Sequence, residues 1–220
     1  MNLWVEKGIW DPSLFQNYGT MKTYSKGACL FFQNQPLTDI YLVISGRIRS
    51  YLLSPSGGER HLFVVGPKSM IGECNVWSKN TYDYCATTST IVEAIKIPKA
   101  IFQDIVKSTP GFFEKTLQSM SQKQNTLLIQ THLMSFSNIE ERVMFILVQL
   151  AEAYGQSIGD TIIITIPFTH HELSQIVGAS RVSVSNVMNS LQDKGIISKA
   201  NKNYIIHSLA HLQPETLQLV

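Results

Sequence analysis

The sequence predicts an α+β chain in three parts: an antiparallel β-barrel or sandwich, one long amphipathic helix, and a helix-turn-helix closed by a β-hairpin. Three observations predict it. Short β-rich runs alternate with glycine and proline turns from Tyr24 to Ile97. After Pro110, seam residues recur in steps of four and three. Finally, "FTHHELSQIVGASRVSVSNVMNSLQDKGI" (Phe168–Ile196) sets two short helical patterns on either side of a glycine turn. The parts divide as residues 1–110, 111–136 and 137–220.

The β part is read from "IYLVISGRIRSYLLS", where Gly46 separates two runs rich in Ile, Val, Leu and Tyr, and from "SPSGGERHLFVV", a turn followed by a strand. "GPKSMIGE" and "TIVEAIKIP" continue the series. Strands this short, spaced this regularly and punctuated by glycine, pair as antiparallel hairpins.

The long helix carries Phe113, Leu117, Met120, Gln124, Leu127, Thr131 and Met134 at steps of 4, 3, 4, 3, 4, 3. That is an a/d seam held over about three heptads. It suits a parallel two-helix dimer contact; the alternative is packing on the chain's own barrel. The polar seam residues Gln124 and Thr131 cost stability but can fix register, and they can also face a ligand.

Ser137 and Glu140 have capping-box spacing, so a new helix is expected there. In "NIEERVMFILVQLAEAYG" one face holds Ile139, Val143, Ile146, Leu147 and Leu150. Gly155 and the Gly159-Asp160 turn end it, and "TIIITIP" reads as a strand stopped by Pro167.

Thr169 and Glu172 repeat the capping-box spacing. Leu173, Ile176 and Val177 give the first helix of the pair its core face. Gly178 permits the sharp turn, and Ser180 caps the second helix. Val184, Val187, Met188 and Leu191 form a buried stripe, leaving Arg181, Val182, Ser185, Asn186 and Asn189 outside it. "IISKANKNYIIHS" reads as a hairpin turning at Asn201–Asn203, which completes a winged helix-turn-helix. In that geometry the early exposed residues of the second helix meet base edges in the major groove. Arg pairs with guanine, Asn with adenine, and Val can meet a thymine methyl. The expected DNA-facing set is Thr169, His170, Ser180, Arg181, Val182, Ser183, Ser185, Asn186, Asn189 and Lys202, with His170 and His171 solvent-facing or near phosphate. Adjacent histidines point apart on a helix, which argues against a metal pair.

Composition sets limits on this reading. The chain has 220 residues, 44% hydrophobic and 15% charged, with a formal net charge of +2. From Phe168 onward four Lys/Arg meet three Asp/Glu, so DNA binding must rest on local geometry rather than bulk attraction. Cys29, Cys74 and Cys85 stand far apart without a C-x-x-C pair, which disfavours a zinc or iron–sulfur site; reduced cytosolic thiols are expected. A signal-peptide order is absent, and no apolar run nears the roughly 20 residues of a membrane span. No G-x-S-x-G, H-E-x-x-H or P-loop pattern occurs, and of six histidines only His61 lies in the β part, so an enzyme is not expected.

Taken in order from Phe15 to Leu209, the chain resembles the family of the cyclic-AMP receptor protein and the fumarate–nitrate reduction regulator. "HHELSQIVGASRVSVSNVM" is close to that family's DNA-reading unit, and "IYLVISGRIRSYLLSPSGGERHLFVVGPKSMIGE" is similar to its sensory cyclic-nucleotide-binding-like β-roll. The resemblance implies a cytoplasmic homodimer joined by the long helix, a small-molecule effector in the β-roll, a near-palindromic double-stranded DNA site, and RNA polymerase as a further partner. Effector binding would shift the population of helix arrangements, setting two recognition helices about 34 Å apart.

The effector side departs from the cyclic-nucleotide members. Gly72 and Glu73 match their Gly-Glu, but Asp83 and Tyr84 stand where an Arg-Ser pair holds the ribose and cyclic phosphate. Asp repels phosphate, so a cyclic nucleotide is not expected. The N-terminal cysteine cluster of the oxygen sensors is missing. Axial haem ligands are not matched either, His61 being the one candidate, so no cofactor and no metal is expected. Trp77, Tyr82 and Tyr84 offer ring faces and two hydroxyls to an aromatic or other small organic effector, as in the family's halogenated-phenol sensors; the alternative is that they fill the barrel. Lys123, Gln124 or Thr126 of the long helix would join Gly72 and Glu73 at that pocket. On the DNA side, Val182 stands where the cyclic-AMP receptor carries Glu, which predicts a half-site poorer in G·C. A constitutive DNA binder with a purely structural β-roll is the rival.

Overall fold

A computed structural model describes residues 4–5, 8–159 and 161–212. The chain divides after Leu128 into two compact units. The division falls inside one continuous helix, α2 (Phe112–Phe136).

Among the described residues of the N-terminal unit nine strands form two sheets. They are β1 (Trp4–Val5), β2 (Thr20–Tyr24), β3 (Cys29–Phe31), β4 (Asp39–Ser45), β5 (Ile48–Leu53), β6 (Glu59–Val65), β7 (Met70–Ile71), β8 (Cys85–Thr88) and β9 (Val92–Pro98). One sheet runs β1-β6-β5-β8-β3 and the other β2-β9-β4-β7. Every pairing is antiparallel except β1 with β6. Phe15, Phe31, Ile40, Leu42, Ile48, Phe63, Val65, Met70 and Ile95 belong to the shared core.

Gly46 makes the β4–β5 turn at φ +83°. A Cβ there would sit 2.1 Å from the Ile91 carbonyl oxygen, so only glycine fits.

A helix that the sequence analysis folded into the β part, α1 (Lys99–Ser108), follows β9 and packs on β4 and β9. Phe102, Ile105 and Val106 form its buried face. This cover explains why Ile40, Tyr41, Leu42 and Val43 are buried in succession rather than alternately.

The C-terminal unit contains α3 (Ile139–Tyr154), β10 (Gly155–Ile158), β11 (Thr161–Ile164), α4 (His170–Val177), α5 (Arg181–Asp193), β12 (Ile197–Ala200) and β13 (Asn203–Ile206). Its antiparallel sheet runs β10-β11-β13-β12. Val143, Ile146, Leu147, Leu150, Ile164, Leu173, Val177, Val184, Met188, Leu191, Tyr204 and Ile206 are buried. Ile176 and Val187, expected in that core, are half-buried.

The cap of α3 lies one residue later than expected. Asn138, not Ser137, accepts from the Glu141 N–H (3.0 Å), and Glu141 returns a bond to the Asn138 N–H (2.8 Å). Ser137 cannot serve because its N–H still donates to the Leu133 carbonyl, completing the last turn of α2 (3.1 Å).

Candidate functional site

The helix-turn-helix is assembled by local devices. Thr169 Oγ1 accepts from the Glu172 N–H at 3.1 Å, and Glu172 Oε2 accepts from the Thr169 N–H at 2.8 Å. Gly178 closes α4 in the left-handed region, φ 68° and ψ 46°, which a residue with a Cβ adopts only at a cost. Ser180 Oγ then accepts from the Ser183 N–H at 3.0 Å and starts α5. Arg142 Nη1 donates to the Val177 carbonyl (3.0 Å) and Lys194 pairs with Glu140 (3.1 Å), tying α3 to the ends of α4 and α5.

This framework leaves one face of α5 open. Arg181, Val182, Asn186 and Asn189 are exposed, Val182 by 69%, while Ser183 and Ser185 are half-buried. Thr169 and Ser180 are exposed at the two helix starts, and Lys202 is exposed in the β12–β13 turn beside Asn201, which takes φ 57°.

His170, expected to face solvent or to lie near phosphate, is held by two side chains of its own unit. It is half-buried rather than solvent-facing: Nδ1 lies 2.8 Å from Ser185 Oγ and Nε2 lies 2.8 Å from the Tyr204 hydroxyl. Burial, and then the charges of Lys199 and Arg181, hold its pKa below the ordinary imidazole value. Tyr204 went unremarked in the sequence because its role depends on a partner 34 residues away.

In the β-roll the matched Gly72-Glu73 forms the start of a short 3-10 turn. Glu73 is fully buried, and its Oε1 accepts from Ser119 Oγ (2.8 Å) and from Lys123 Nζ, itself 2% exposed. Lys123 Nζ also lies 3.2 Å from Ser119 Oγ. Glu73 Oε2 is buried without a hydrogen-bond partner. Sequence reasoning passed over Ser119, although Phe112, Thr116, Ser119, Lys123 and Thr126 form a second row at steps of 4, 3, 4, 3, one residue behind the seam. This second row is the buried one.

The expected aromatic wall is arranged differently. Tyr82 stacks on Phe31 at 3.8 Å, and its hydroxyl donates to the Asp39 carbonyl at 2.7 Å. Tyr84 meets Phe63 edge-on at 5.5 Å, and its hydroxyl accepts from the Gly72 N–H at 3.3 Å. Both hydroxyls therefore already serve the fold. Trp77 is 47% exposed and leans on Phe102 of α1, so it does not line the interior. Gln124 lies on the exposed face of α2, whereas Thr126 is buried and donates to the Gln122 carbonyl (3.1 Å). Asp83 pairs with Lys79 at 3.0 Å on the outside of the roll.

Burial pushes the Cys74 thiol up to about 12, with Glu73 adding to it. His61 is depressed to about 3 by burial and then by Arg60 and Arg49. The thiol is thus protonated and the imidazole neutral near pH 7.

Comparison with known proteins gives this geometry a family. A model of the cyclic nucleotide-binding domain matches residues 21–109, and a model of the Crp-like helix-turn-helix domain matches residues 141–215. The CRP-like cAMP-activated global transcriptional regulator of Mycobacterium tuberculosis is 26% identical over 183 residues, 83% of this chain and 82% of that protein. The global nitrogen regulator of a Nostoc species is 22% identical, with 85% of each chain covered. The structure of the c-di-GMP responsive global regulator CLP of Xanthomonas campestris superimposes with a TM-score of 0.81 at 19% identity, covering 90% of this chain and 98% of that one. With a sensory-type β-roll followed by a Crp-like reading head, the chain belongs to the Crp/Fnr family of DNA-binding transcription regulators and is not an enzyme.

Proposed function

We propose that the protein is a homodimeric, sequence-specific regulator whose affinity for a near-palindromic double-stranded DNA site is controlled by a small organic effector in the β-roll. One observation carries this reading: α2 presents two parallel rows, one buried and one open. Phe113, Leu117, Gln124, Thr131 and Met134 are exposed along the open row, Phe113 by 60% and Leu117 by 49%. Met120 and Leu127 continue the row half-buried. A second copy of the helix covers such a stripe by knobs-into-holes packing. The buried row reaches the β-roll through Lys123 and Glu73, so a ligand there acts on the same helix that joins the protomers.

The effector is not a cyclic nucleotide on this reading. Asp83 brings no cation to a phosphate and is turned outward to Lys79, and the buried cation Lys123 is already neutralised by Glu73. Relatives named for cAMP, c-di-GMP and nitrogen control indicate that this fold accepts diverse signals. Ring faces from Phe31, Tyr82 and Tyr84, with the polar Glu73–Lys123 pair beside them, suit an aromatic molecule with one polar substituent.

A second reading has its own support. Tyr82 lies on Phe31 at 3.8 Å and both tyrosine hydroxyls are engaged, which favours a filled, structural β-roll and constitutive DNA binding. The deciding experiment measures DNA affinity and melting temperature across a panel of phenols, carboxylic acids and nucleotides. A phenol or acid that raises melting temperature and changes DNA affinity at least tenfold supports control by an effector. Tight binding unmoved by every member favours the constitutive reading. RNA polymerase as a further partner and a cytoplasmic setting are part of the same proposal. Among the described residues no helix is long and apolar enough to cross a membrane.

A further inference from the structure

We propose that His170 is a positioning residue for sequence reading: it holds the Ser185 hydroxyl of α5 with its proton turned outward, as a hydrogen-bond donor to the DNA. The inference rests on α5 being the helix that enters the major groove. It also gives His170 a role other than direct contact.

The geometry leaves little freedom. Tyr204 is 1% exposed, stacked on Phe168 at 4.9 Å, with Lys199 Nζ 5.2 Å from the centre of its ring. Its hydroxyl meets His170 Nε2 at 2.8 Å, and His170 Nδ1 meets Ser185 Oγ at 2.8 Å. One ring thus bridges the wing strand β13, the start of α4 and the recognition helix α5.

The proton inventory selects a direction. A neutral imidazole has one N–H and one bare nitrogen. Of its two partners, the phenol is the better donor and the aliphatic hydroxyl the better acceptor. Tyr204 therefore donates to Nε2, and Nδ1–H donates to Ser185 Oγ. Among the described residues Ser185 Oγ has no other hydrogen-bond partner, so it does not turn back onto the α5 carbonyls, as helical serines often do. Its own proton remains for an acceptor outside. Burial and the neighbouring cations keep the ring in the neutral form that this pattern requires.

The consequence concerns base choice. A hydroxyl committed to donation suits the major-groove acceptors, guanine O6, purine N7 and thymine O4. It is mismatched to cytosine, which offers only its N4 amino group there. A freely rotating serine would accept from that group as readily as it donates elsewhere.

The test is selection of bound duplexes from random DNA by wild type, S185A, H170A, H170N and H170Q, with melting temperatures to confirm folding. Asn places its amide nitrogen near the position of Nδ1; Gln places its own near Nε2. Wild type and H170N are expected to disfavour cytosine at one half-site position by on the order of 3- to 10-fold, the worth of one hydrogen bond. S185A, H170A and H170Q are expected to flatten that same position, and a double S185A/H170A variant to be no flatter than S185A. The Asn–Gln contrast does not depend on the alanine variant folding. If H170A and H170Q keep the preference, or weaken all sequences alike with a shallower salt dependence, His170 is at most a phosphate contact and the proposal falls. A wild type without base preference at any position overturns the placement of α5 itself, and this inference with it.

Discussion

Lys123 of the long helix and Glu73 of the β-roll form an ion pair sealed from solvent, at 2% and 0% exposure. Fifty residues separate them in sequence. Ser119 adds a hydroxyl to the same Glu73 oxygen, while the other oxygen is left without a partner. Such a pair earns little by forming, because desolvation offsets the attraction, but breaking one half strands a buried charge.

Removing either partner alone is therefore expected to be costly. Lys123→Met should lower unfolding stability by about 3–5 kcal/mol, read from urea denaturation. Adding Glu73→Gln to it should restore most of the loss, because the stranded charge is gone. A double variant as unstable as the single would show that packing, not charge, sets the cost.

The open row of α2 predicts a separable defect. Leu117→Glu places a charge in the first half of the exposed stripe, at a side chain that is 49% exposed and outside the core. Sedimentation should show a dimer for wild type at micromolar concentration and a monomer for the variant, with unchanged helix content. Affinity for a palindromic site should fall at least a hundredfold, since the second half-site is no longer engaged at high effective concentration.

How much of this could be read from sequence follows the range of each interaction. The Thr169–Glu172 cap, the Gly178 turn and the Ser180 cap act over four or fewer residues, and all three are where the spacing put them. The long helix was legible from its period, which marks two adjacent rows alike and does not say which of them is buried. Short or ambiguous signals failed. α1 offers only Phe102, Ile105 and Val106 as its buried face. β10 is exposed at every position and carries no alternation. Ser137 and Asn138 each have a Glu three residues on, and the choice between them was made by where α2 ends. The engagement of the tyrosine hydroxyls was not legible for a different reason: their partners are backbone groups of Asp39 and Gly72, and no side-chain pattern announces a backbone partner.

Arg181 predicts a specific rather than a general loss. It is exposed at the first position of α5, where a bidentate contact to guanine is expected. Arg181→Ala should weaken binding to the selected site by about 1–3 kcal/mol while changing affinity for unrelated DNA far less. Val182→Glu should move the selected half-site toward cytosine, as the carboxylate accepts from N4. Competition against bulk DNA at fixed salt separates these from a uniform electrostatic effect.

His61 predicts the acid limb of stability. Its pKa is pushed down to about 3 in the folded chain, against an ordinary value near 6.5 when unfolded. Between these values the unfolded chain binds the proton and the folded one does not, so stability falls as pH falls. The contribution is complete above pH 6.5, where both states are neutral, and is lost progressively down to pH 3. At pH 5 the loss is about 2 kcal/mol relative to pH 7. Denaturant titrations at pH 7, 6 and 5 should therefore give a declining midpoint for wild type. His61→Asn cannot take up the proton, so its decline over the same range should be shallower by that amount, whatever its stability at pH 7. Equal slopes in the two proteins would place the acid sensitivity in the carboxylates instead.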